Sequence, residues 1–424
     1  MIAKQDHIYF IASKSSKRWF MLTLLWLLYF SFGLISASIS PIVGPIIDDL
    51  NITYGQMGLV LGAWQLVYIF TASPLGALVD RMGIRRSLSI GGLLILLSLV
   101  LRGMAVNFYT LFLGVGLFGA GGPIVSIGAP KVVAVWFDGK ERSIAAGIYT
   151  TGPIIGTAVA LLTAGTLVIP IAGTWRGISW AYGLPVLLII SVWWFFARDV
   201  PTLGEDGGIG VGQTRMRSLE VFWRLLGIRN VRIILVMAAI SFMLVHGLNG
   251  WTPTLLTESG MTLSQSGLWP ALTTIVGSAG LLAVAYLARR GYRATIIGLL
   301  LILSASSSAA MPFLHGLPLI GALAVSTLAR SPMMPILTLI LMETHGVGAV
   351  HMGSAAGLFF SAAEIGGFGG PFLLGLLHDV TGGLGLGFLL ISSLAALLIL
   401  LVPFIHENDG PENDGPNELV KNSV

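Results

Sequence analysis

Twelve apolar stretches follow one another along the 424 residues of this chain. Each has about 20 residues or more, which is the length that a helix needs to cross a bilayer, so each predicts one membrane-spanning helix. A barrel is disfavoured because the alternating pattern of barrel strands, about ten residues long, does not occur. The predicted fold class is therefore an all-α membrane protein with twelve transmembrane helices. The predicted spans are residues 19–47, 56–79, 86–105, 108–137, 143–169, 178–197, 230–255, 264–288, 293–313, 317–342, 352–377 and 385–405.

Composition agrees with this fold class and excludes several functions. Charged residues make up only 10% of the chain, whereas soluble domains carry about 25%. The chain has no cysteine, which excludes disulfides, thiol catalysis and thiolate-bound zinc. It also lacks a nucleotide-binding loop, a cluster of metal ligands and a nucleophile constellation, so we predict neither an enzyme nor a cofactor.

The Lys and Arg residues are distributed unevenly between the two sides of the spans. If the N-terminus is inside, only Arg102 and Arg176 of the 23 basic residues fall on the outer side. This positive-inside distribution predicts that both termini are cytoplasmic, and the expected location is the bacterial inner (plasma) membrane. It also accounts for the net charge of +4 without a nucleic-acid partner.

A long polar connection divides the spans into six plus six. It is Gly-rich at first and ends in "LEVFWRLLGIRN", which predicts a short amphipathic helix on the inner membrane surface. We expect an N-terminal six-helix bundle over residues 1–198, a cytoplasmic central loop over 199–227 and a C-terminal six-helix bundle over 228–406. The acidic, turn-rich residues 407–424 predict a disordered cytoplasmic tail.

The two bundles contain similar sequence segments at corresponding positions and are therefore predicted to be pseudo-symmetric. "GALVDRMGIRRSL" (76–88) follows span two, and "VAYLARRGYRATI" (284–296) follows span eight. "AAGIYTTGPIIG" in span five aligns with "AAGLFFSAAEIGG" in span eleven. Such internal repeats are typical of transporters, whose substrate site lies at the repeat interface near the membrane midplane.

Residues 76–88 resemble the signature that the major facilitator superfamily carries between its second and third helices, G-x-L-a-D-R-x-G-r-k-x-x-l. The resemblance implies a monomeric transporter in which this segment opens and closes the inner side. Asp80 ends span two, where a carboxylate can accept bonds from Arg81, Arg85 or a neighbouring helix N-terminus. The alternative is a solvated basic loop that serves topology only. The predicted gating residues are Gly76, Asp80, Arg81, Gly83 and Arg85.

Two further features bear on coupling. Val115 stands where the family often has an arginine associated with proton coupling, so this coupling stays open. "TGPIIGT" in span five resembles the core of a signature described for antiporters. Its alternative interpretation is that small residues allow close helix contact and Pro153 bends the helix.

Arg330 in "TLARSPMMPILTLILM" and Glu364 in span eleven are the charges that most need explanation. Each lies about 12 residues from the inner end of its span, which is roughly 18 Å deep. A lipid-facing charge there costs about 3 to more than 10 kcal/mol, so both should face protein or water. One interpretation is a structural ion pair that also satisfies carbonyls freed by Pro332 and Pro335. The other is that Arg330 holds a substrate carboxylate while Glu364 balances charge, takes up a proton or contacts a substrate cation.

The remaining candidate substrate-binding residues lie in spans five and seven. Tyr149 sits inside span five, which is expected near the central axis. His246 and Asn249 lie in the outer half of span seven. Trp251 and Pro253 follow them. One interpretation is an interfacial anchor with a helix break at the cavity, and the other is that these residues only mark the end of the helix.

We therefore predict a secondary active transporter that moves a small polar or charged organic solute by alternating access, with an organic anion favoured. The expected partners are a small-molecule substrate, membrane lipid and, left open, a coupling proton. The alternative is an efflux exporter of amphipathic drugs or metabolites. Such an exporter should have a mostly apolar cavity with a lone acidic residue, which an Arg–Glu pair at the midplane disfavours.

Overall fold

The described part of the protein is helical. The computed structural model describes the backbone of residues 2–199, 220–288 and 291–407, and most side chains from residue 17 onward outside parts of 72–81, 282–287 and 348–350. These residues form helices and no strand, which confirms the predicted all-α class.

The helices of the N-terminal half are α1 (Ile2–Ser36), α2 (Val43–Leu50), α3 (Tyr54–Met82), α4 (Ile84–Gly103), α5 (Phe108–Trp136), α6 (Gly139–Thr163), α7 (Ile169–Ala172) and α8 (Arg176–Phe196). Residues 220–227 form α9. The helices of the C-terminal half are α10 (Arg229–Glu258), α11 (Leu263–Leu287), α12 (Arg293–Ala310), α13 (Gly316–Arg330), α14 (Met333–Glu343), α15 (Gly348–Thr381) and α16 (Gly385–Leu397).

Ten helical segments of the described chain are long and apolar enough to cross a membrane. The helices α3 and α11, with 29 and 25 residues, lie where the sequence predicts two further spans. The multi-span fold is thereby confirmed, while the count of twelve stays a prediction. We name the two faces of the bundle after the ends of α3, which begins at the Tyr54 face and ends at the Met82 face.

The pseudo-symmetry of the halves extends to a contact that the sequence comparison did not identify. In the N-terminal half, Asp199 after α8 accepts a hydrogen bond of 2.9 Å from the backbone N–H of Arg85 at the start of α4. In the C-terminal half, Glu407 accepts one of 2.8 Å from the N–H of Gly291, just before α12. Gly83 and Gly291 open these two turns with φ of 81° and 83°, a conformation that favours glycine. A carboxylate thus caps the third long helix of each half.

Close helix contacts repeat between the halves as well. An added Cβ on Gly156 of α6 would overlap the carbonyl oxygen of Phe30 on α1. An added Cβ on Gly366 of α15 would likewise overlap the carbonyl oxygen of Ala239 on α10. The close-contact part of the interpretation of the span-five motif is therefore confirmed, because small residues let these backbones touch, while the bend at Pro153 stays a prediction.

Helix breaks occur at places that differ from the predicted one. Helix α10 continues through Pro253 to Glu258, so of the two interpretations of this segment the helix break in span seven is wrong. Instead α1 ends at Ser36, and a 3₁₀ turn over Ser40–Ile42 leads into α2. A second break separates α13 from α14, immediately after Arg330. Proline stands in each of the two breaks, and it removes a backbone donor and restricts the residue before it.

The predicted surface helix is present in part. Residues 220–227 are helical, with Leu225 buried and Phe222 and Trp223 exposed, as a surface amphipathic helix requires. The rest of the predicted linker up to residue 219, and the predicted tail from 408, lie outside the described residues. The domain boundaries stay predictions.

Candidate functional site

A cavity of about 440 Å³ lies between the two halves. Its walls come from α1, α3 and α6 of the N-terminal half and from α10, α11, α13, α14 and α15 of the C-terminal half. Both helix breaks reach it, because Ser36 and Ser40 line one side and Arg330 and Ser331 line another. Interrupted helices at the interface of two repeats are the arrangement that transporters use to bind polar substrates.

Arg330 is the last residue of α13 and its side chain borders this cavity while being only 6% exposed. A cation at a helix C-terminus is stabilised by the partial negative charge there. Its Nη2 donates hydrogen bonds to Asn249 Oδ1 at 2.9 Å and Thr327 Oγ1 at 3.2 Å. Its Nη1 is buried and has no hydrogen-bond partner among the described residues. One arm of the guanidinium fork is therefore held by protein, and the other has no acceptor among the described residues.

The expected ion pair between Arg330 and Glu364 is wrong for this conformation. Both residues are described, and no contact of 4.0 Å or less joins them among the described ion pairs. Asn249 takes the place of the carboxylate as the acceptor for Arg330. Spacing along two consecutive helices predicts that the residues share a depth, but it does not predict their rotation about each helix axis.

The charge of the cavity is positive. Arg330 is the one Lys, Arg, Asp or Glu residue among the described residues that line it. Many of the other polar lining residues carry hydroxyl groups, and Trp64 also lines the cavity. The lining hydroxyls include those of Ser36, Ser40, Thr157, Thr252, Thr273 and Thr274. Such a site can hold an anion at one end and hydroxyl groups along its length.

Glu364 lies behind this wall rather than in it. The residue is only 5% exposed, and it is not among the residues that line the cavity. A Cβ on Gly367 would lie 2.8 Å from Glu364 Oε2 and 3.2 Å from both Gln65 Cγ and His246 Cδ2, so these three side chains meet around Gly367. Gln65 Nε2 and His246 Nδ1 are hydrogen-bonded at 3.1 Å, and both residues line the cavity.

Two predicted substrate residues contact aromatic neighbours outside the cavity lining. Trp251 is fully buried, donates from Nε1 to the carbonyl oxygen of Pro371 at 2.9 Å and stacks on Tyr54, so the interfacial-anchor interpretation is wrong. Tyr149 packs against Tyr29, with 5.7 Å between ring centroids. Neither Trp251 nor Tyr149 lines the cavity, whereas the predicted residues His246, Asn249 and Arg330 all do.

The predicted gating segment is described in part. Arg85 donates from Nε and Nη2 to the carbonyl oxygen of Trp194 at 3.0 and 2.6 Å, and its guanidinium lies over the Trp194 ring. Gly83 packs against Asp199. These contacts hold the segment to the end of α8. The surroundings of Gly76, Asp80 and Arg81 lie outside the described residues, so their gating role stays a prediction.

Sequence reasoning missed the contribution of the first span. Ser36 and Ser40 line the cavity because α1 stops between them, and Ser40 Oγ donates to the carbonyl oxygen of Asn249 at 2.7 Å. The signal was present in "SASISPIVGP", where two prolines and a glycine follow polar residues inside an apolar run. Proline and glycine within a span mark a backbone that other groups must satisfy.

The halves are joined near the Tyr54 face. Asp379 at the end of α15 accepts hydrogen bonds of 2.8 Å from the backbone N–H groups of both Tyr54 and Gly55 at the start of α3. Near the Met82 face, the described ion pairs stay within one half. They are Arg18–Glu141, Arg142–Asp138 and Arg293–Glu343. The hydrogen bonds that cross between the described halves are those of Asp379, the pair Gln65–His246, and those from Ser40 to Asn249 and Gly250 and from Ser264 to Gly165.

Comparison with known proteins places the chain among transporters. A family model described as Major Facilitator Superfamily matches residues 25–371. The hexuronate transporter of Bacillus subtilis (strain 168) is 26% identical over 389 residues, which cover 87% of this chain and 91% of the relative. The probable L-galactonate transporter of Escherichia coli (strain K12) is 28% identical over 259 residues, which cover 56% of this chain and 54% of the relative.

A solved structure shares the fold. It is that of a bacterial homolog to the human lysosomal transporter Spinster, in an inward-facing and unoccupied conformation. The two structures superpose with a TM-score of 0.72 at 17% sequence identity, over 92% of this chain and 95% of that one. At this identity the likeness concerns the fold alone.

Proposed function

This chain belongs to the Major Facilitator Superfamily, and we propose that it is a secondary active transporter of small organic anions that works by alternating access. It is a multi-pass membrane protein and, like its relatives, a transporter rather than an enzyme. The observation that carries the proposal is Arg330, a buried guanidinium in the central cavity with one arm lacking a partner in the described chain.

The chemistry of the cavity favours a carboxylate as the anion. A guanidinium binds a carboxylate through two parallel N–H groups, and charge-assisted bonds of this kind are stronger than neutral ones. Nη2 donates its two N–H groups to Asn249 and Thr327, and Nη1 lacks a described partner, so a carboxylate would bridge both nitrogens by taking the N–H that Thr327 now accepts.

Hydroxyl groups on the substrate are favoured by the rest of the lining. The hydroxyls of Ser36, Thr157 and Thr273 donate to backbone carbonyls, so their oxygens can accept from sugar hydroxyls, and the Trp64 ring can cover an apolar sugar face. A volume of about 440 Å³ is large for a nitrate-sized ion and fits a six-carbon acid. The names of the relatives, a hexuronate and a probable L-galactonate transporter, support the same class. We therefore propose a sugar acid.

Alternating access is supported by the unequal closure of the two faces. Added Cβ atoms on Gly58 and Gly62 of α3 would crowd Pro371 and Phe368 of the other half. An added Cβ on Gly147 of α6, nearer the Met82 face, would meet nothing within 4 Å. We propose that the cavity opens toward the Met82 face here and toward the Tyr54 face in a second state. The basic residues would make the Met82 face cytoplasmic in a bacterial inner membrane, with the protein a monomer.

In this proposal, the gating residues of the Met82 face make their contacts in the second state, in which the Met82 face is closed. Asp80 ends α3 at the Met82 face, and α15 begins at Gly348 on the same side. Asp379 ends α15 at the Tyr54 face and caps α3 there. By the same geometry, Asp80 would cap the start of α15 when the Met82 face closes, with Arg81 as a neighbouring donor.

We predict that Asp379→Asn shifts the protein toward the state open at the Tyr54 face. A carboxylate on a solvent-accessible helix N-terminus contributes about 1 kcal/mol, which corresponds to about a fivefold change in the ratio of the two states. The chain has no cysteine, so a single cysteine introduced for Leu161 can report access. Leu161 lines the cavity and packs against α11 near the Tyr54 face. Labelling by an impermeant maleimide from that side should become faster.

The matched control for this prediction is Asp48→Asn. Asp48 is an exposed carboxylate on α2, near the same face, and no described residue of the other half is bonded to it. Its substitution should leave the labelling rate unchanged. An equal labelling rate in Asp379→Asn and Asp48→Asn would show that the Asp379 contact does not hold the halves together.

Transport itself is tested by counterflow in proteoliposomes. Vesicles loaded with unlabelled D-galacturonate should take up labelled D-galacturonate from outside when they contain the protein, and vesicles loaded with D-galactose should not. Uptake that is equal with either internal solute, or equal in protein-free vesicles, would contradict the proposed function.

A further inference from the structure

We propose that Asn249 is a specificity-determining residue of the cavity, whose amide N–H groups select anions with an oxygen on the carbon next to the carboxylate. Such anions include 2-hydroxy acids and uronates in their ring form, whereas unsubstituted carboxylates lack this oxygen. The inference rests on the proposed function, because it names the class of carboxylate that Arg330 would hold.

The contact with Arg330 fixes the orientation of the Asn249 amide. Arg330 Nη2 and Asn249 Oδ1 are 2.9 Å apart. A guanidinium has only donors, so the amide atom that faces it must be the oxygen. Reversing the amide would place two donors against each other. The nitrogen Nδ2 therefore occupies the other arm of the amide.

Nδ2 is left to serve as a donor inside the cavity. Asn249 lines the cavity and is an exposed residue there, in contrast to the buried Arg330. The hydrogen bonds that Asn249 makes within the described chain use Oδ1 and the backbone carbonyl oxygen, and none uses Nδ2. An amide nitrogen carries two N–H groups, so a ligand in the cavity can accept from it.

The backbone of Asn249 is held in place as well. In an α-helix, the carbonyl of one residue accepts from the N–H four residues later. Four residues after Asn249 stands Pro253, which has no N–H. Ser40 Oγ, from the break that follows α1, donates to this carbonyl oxygen instead, at 2.7 Å. The side chain and the backbone of Asn249 are thus both fixed before a ligand binds, which lowers the cost of ordering on binding.

The position of Nδ2 beside the guanidinium determines which ligand oxygen it can reach. Nδ2 is two bonds from the Oδ1 atom that Arg330 Nη2 contacts, so it lies next to the donors that would hold a carboxylate. An oxygen on the adjacent carbon is likewise two bonds from the carboxylate carbon. The carboxylate can therefore accept from Arg330 while the adjacent oxygen accepts from Asn249. In D-galacturonate this adjacent oxygen is the ring oxygen, and in an open-chain sugar acid it is the 2-hydroxyl.

Calorimetry with D-galacturonate and its carbocyclic analogue tests this inference. The analogue has a methylene in place of the ring oxygen and keeps the charge and the hydroxyl groups. The wild-type protein should bind D-galacturonate about tenfold more tightly, because with the analogue an N–H of Asn249 loses water without gaining an acceptor. In Asn249→Ala, which has no such donor, the two ligands should bind within about twofold of each other.

Ser278→Ala is the matched control. Ser278 also lines the cavity in the same half, but its hydroxyl donates to the carbonyl oxygen of Ile275 at 2.6 Å. This variant should keep the tenfold preference for D-galacturonate. If Asn249 only held Arg330 in place, Asn249→Ala would weaken both ligands equally and the preference would remain. A preference that persists in Asn249→Ala, or loss of all binding by that folded variant, overturns the assignment.

The wild-type protein separates this inference from the proposed function. If it binds D-galacturonate and the carbocyclic analogue equally well, the role of Asn249 is refuted while the anion transporter stands. If it binds neither ligand, the proposed function fails, and the inference about Asn249 fails with it.

Discussion

Replacing Arg330 by lysine is expected to weaken the binding of D-galacturonate by about 30- to 100-fold while the protein stays folded. Lysine keeps the charge but loses the planar fork, so the two-point contact with a carboxylate becomes a single one. A charge-assisted hydrogen bond contributes about 1.5 to 3 kcal/mol, and each 1.4 kcal/mol is tenfold in affinity. Arg330→Gln, which also removes the charge, should abolish detectable binding. Isothermal calorimetry on the purified protein measures both changes.

The matched control is Arg293→Lys. Arg293 is as buried as Arg330, with 8% exposure against 6%, and it lies in the same half. Its guanidinium is bonded to Glu343 and to the carbonyl oxygen of Ala288, and it does not line the cavity. The affinity for D-galacturonate should therefore stay within about twofold of wild type, well below a 1 kcal/mol change. If Arg330→Lys also retains wild-type affinity, Arg330 does not hold the substrate.

Gly366→Ala is expected to destabilise the C-terminal half by about 3 kcal/mol, at the upper end of the cost of overpacking. The new Cβ would overlap the carbonyl oxygen of Ala239 and lie 3.0 Å from the backbone nitrogen of Met243. Backbone atoms of α10 cannot rotate away, so α15 must move as a whole. This movement would also displace Glu364 and the space beside Gly367. A lower melting temperature in detergent, with aggregation on gel filtration, would report the loss.

Gly357→Ala on the same helix is the matched control. Its added Cβ meets nothing within 4 Å, and alanine is a better helix former than glycine by about 1 kcal/mol. Gly357→Ala should therefore melt at or slightly above the wild-type temperature. Equal melting temperatures for the Gly366→Ala and Gly357→Ala variants would mean that α15 does not pack on α10 through Gly366.

The spans could be predicted from sequence because apolar length is a local property. The start of α5 at Phe108 and its end at Trp136 lie within one residue of the prediction, since Asn107 caps the start and the polar "FDGK" follows the end. The repeat could also be detected in the sequence, because its two segments recur at similar offsets of 208 and 210 residues. Asp199 and Glu407 continue it but stand alone in polar tails, where one carboxylate among several has no distinguishing pattern.

The arrangement of the site was harder to predict because it depends on how each helix is rotated about its axis and on where helices are interrupted. Counting residues from the inner end of each span placed Arg330 and Glu364 at the same depth in the membrane. This prediction requires span ten to be a single straight helix. The break after Arg330 ends α13, and Arg330 then bonds to Asn249 of α10. Glu364 is held near α3 by the packing of Gly366 and Gly370 on α10. That packing was signalled by "GGFGG", whose glycines four apart are typical of close helix contacts.

The central claim is that the cavity selects an organic anion through Arg330, and the ligand's charge tests it most directly. Binding to the wild-type protein is measured by calorimetry for D-galacturonate, its uncharged methyl ester and D-galactose, which share the sugar ring. D-Galacturonate should bind at least about 30-fold more tightly than either neutral compound, since only it can accept charge-assisted bonds from the guanidinium. Equal affinity for all three, or tighter binding of the ester, would contradict this claim.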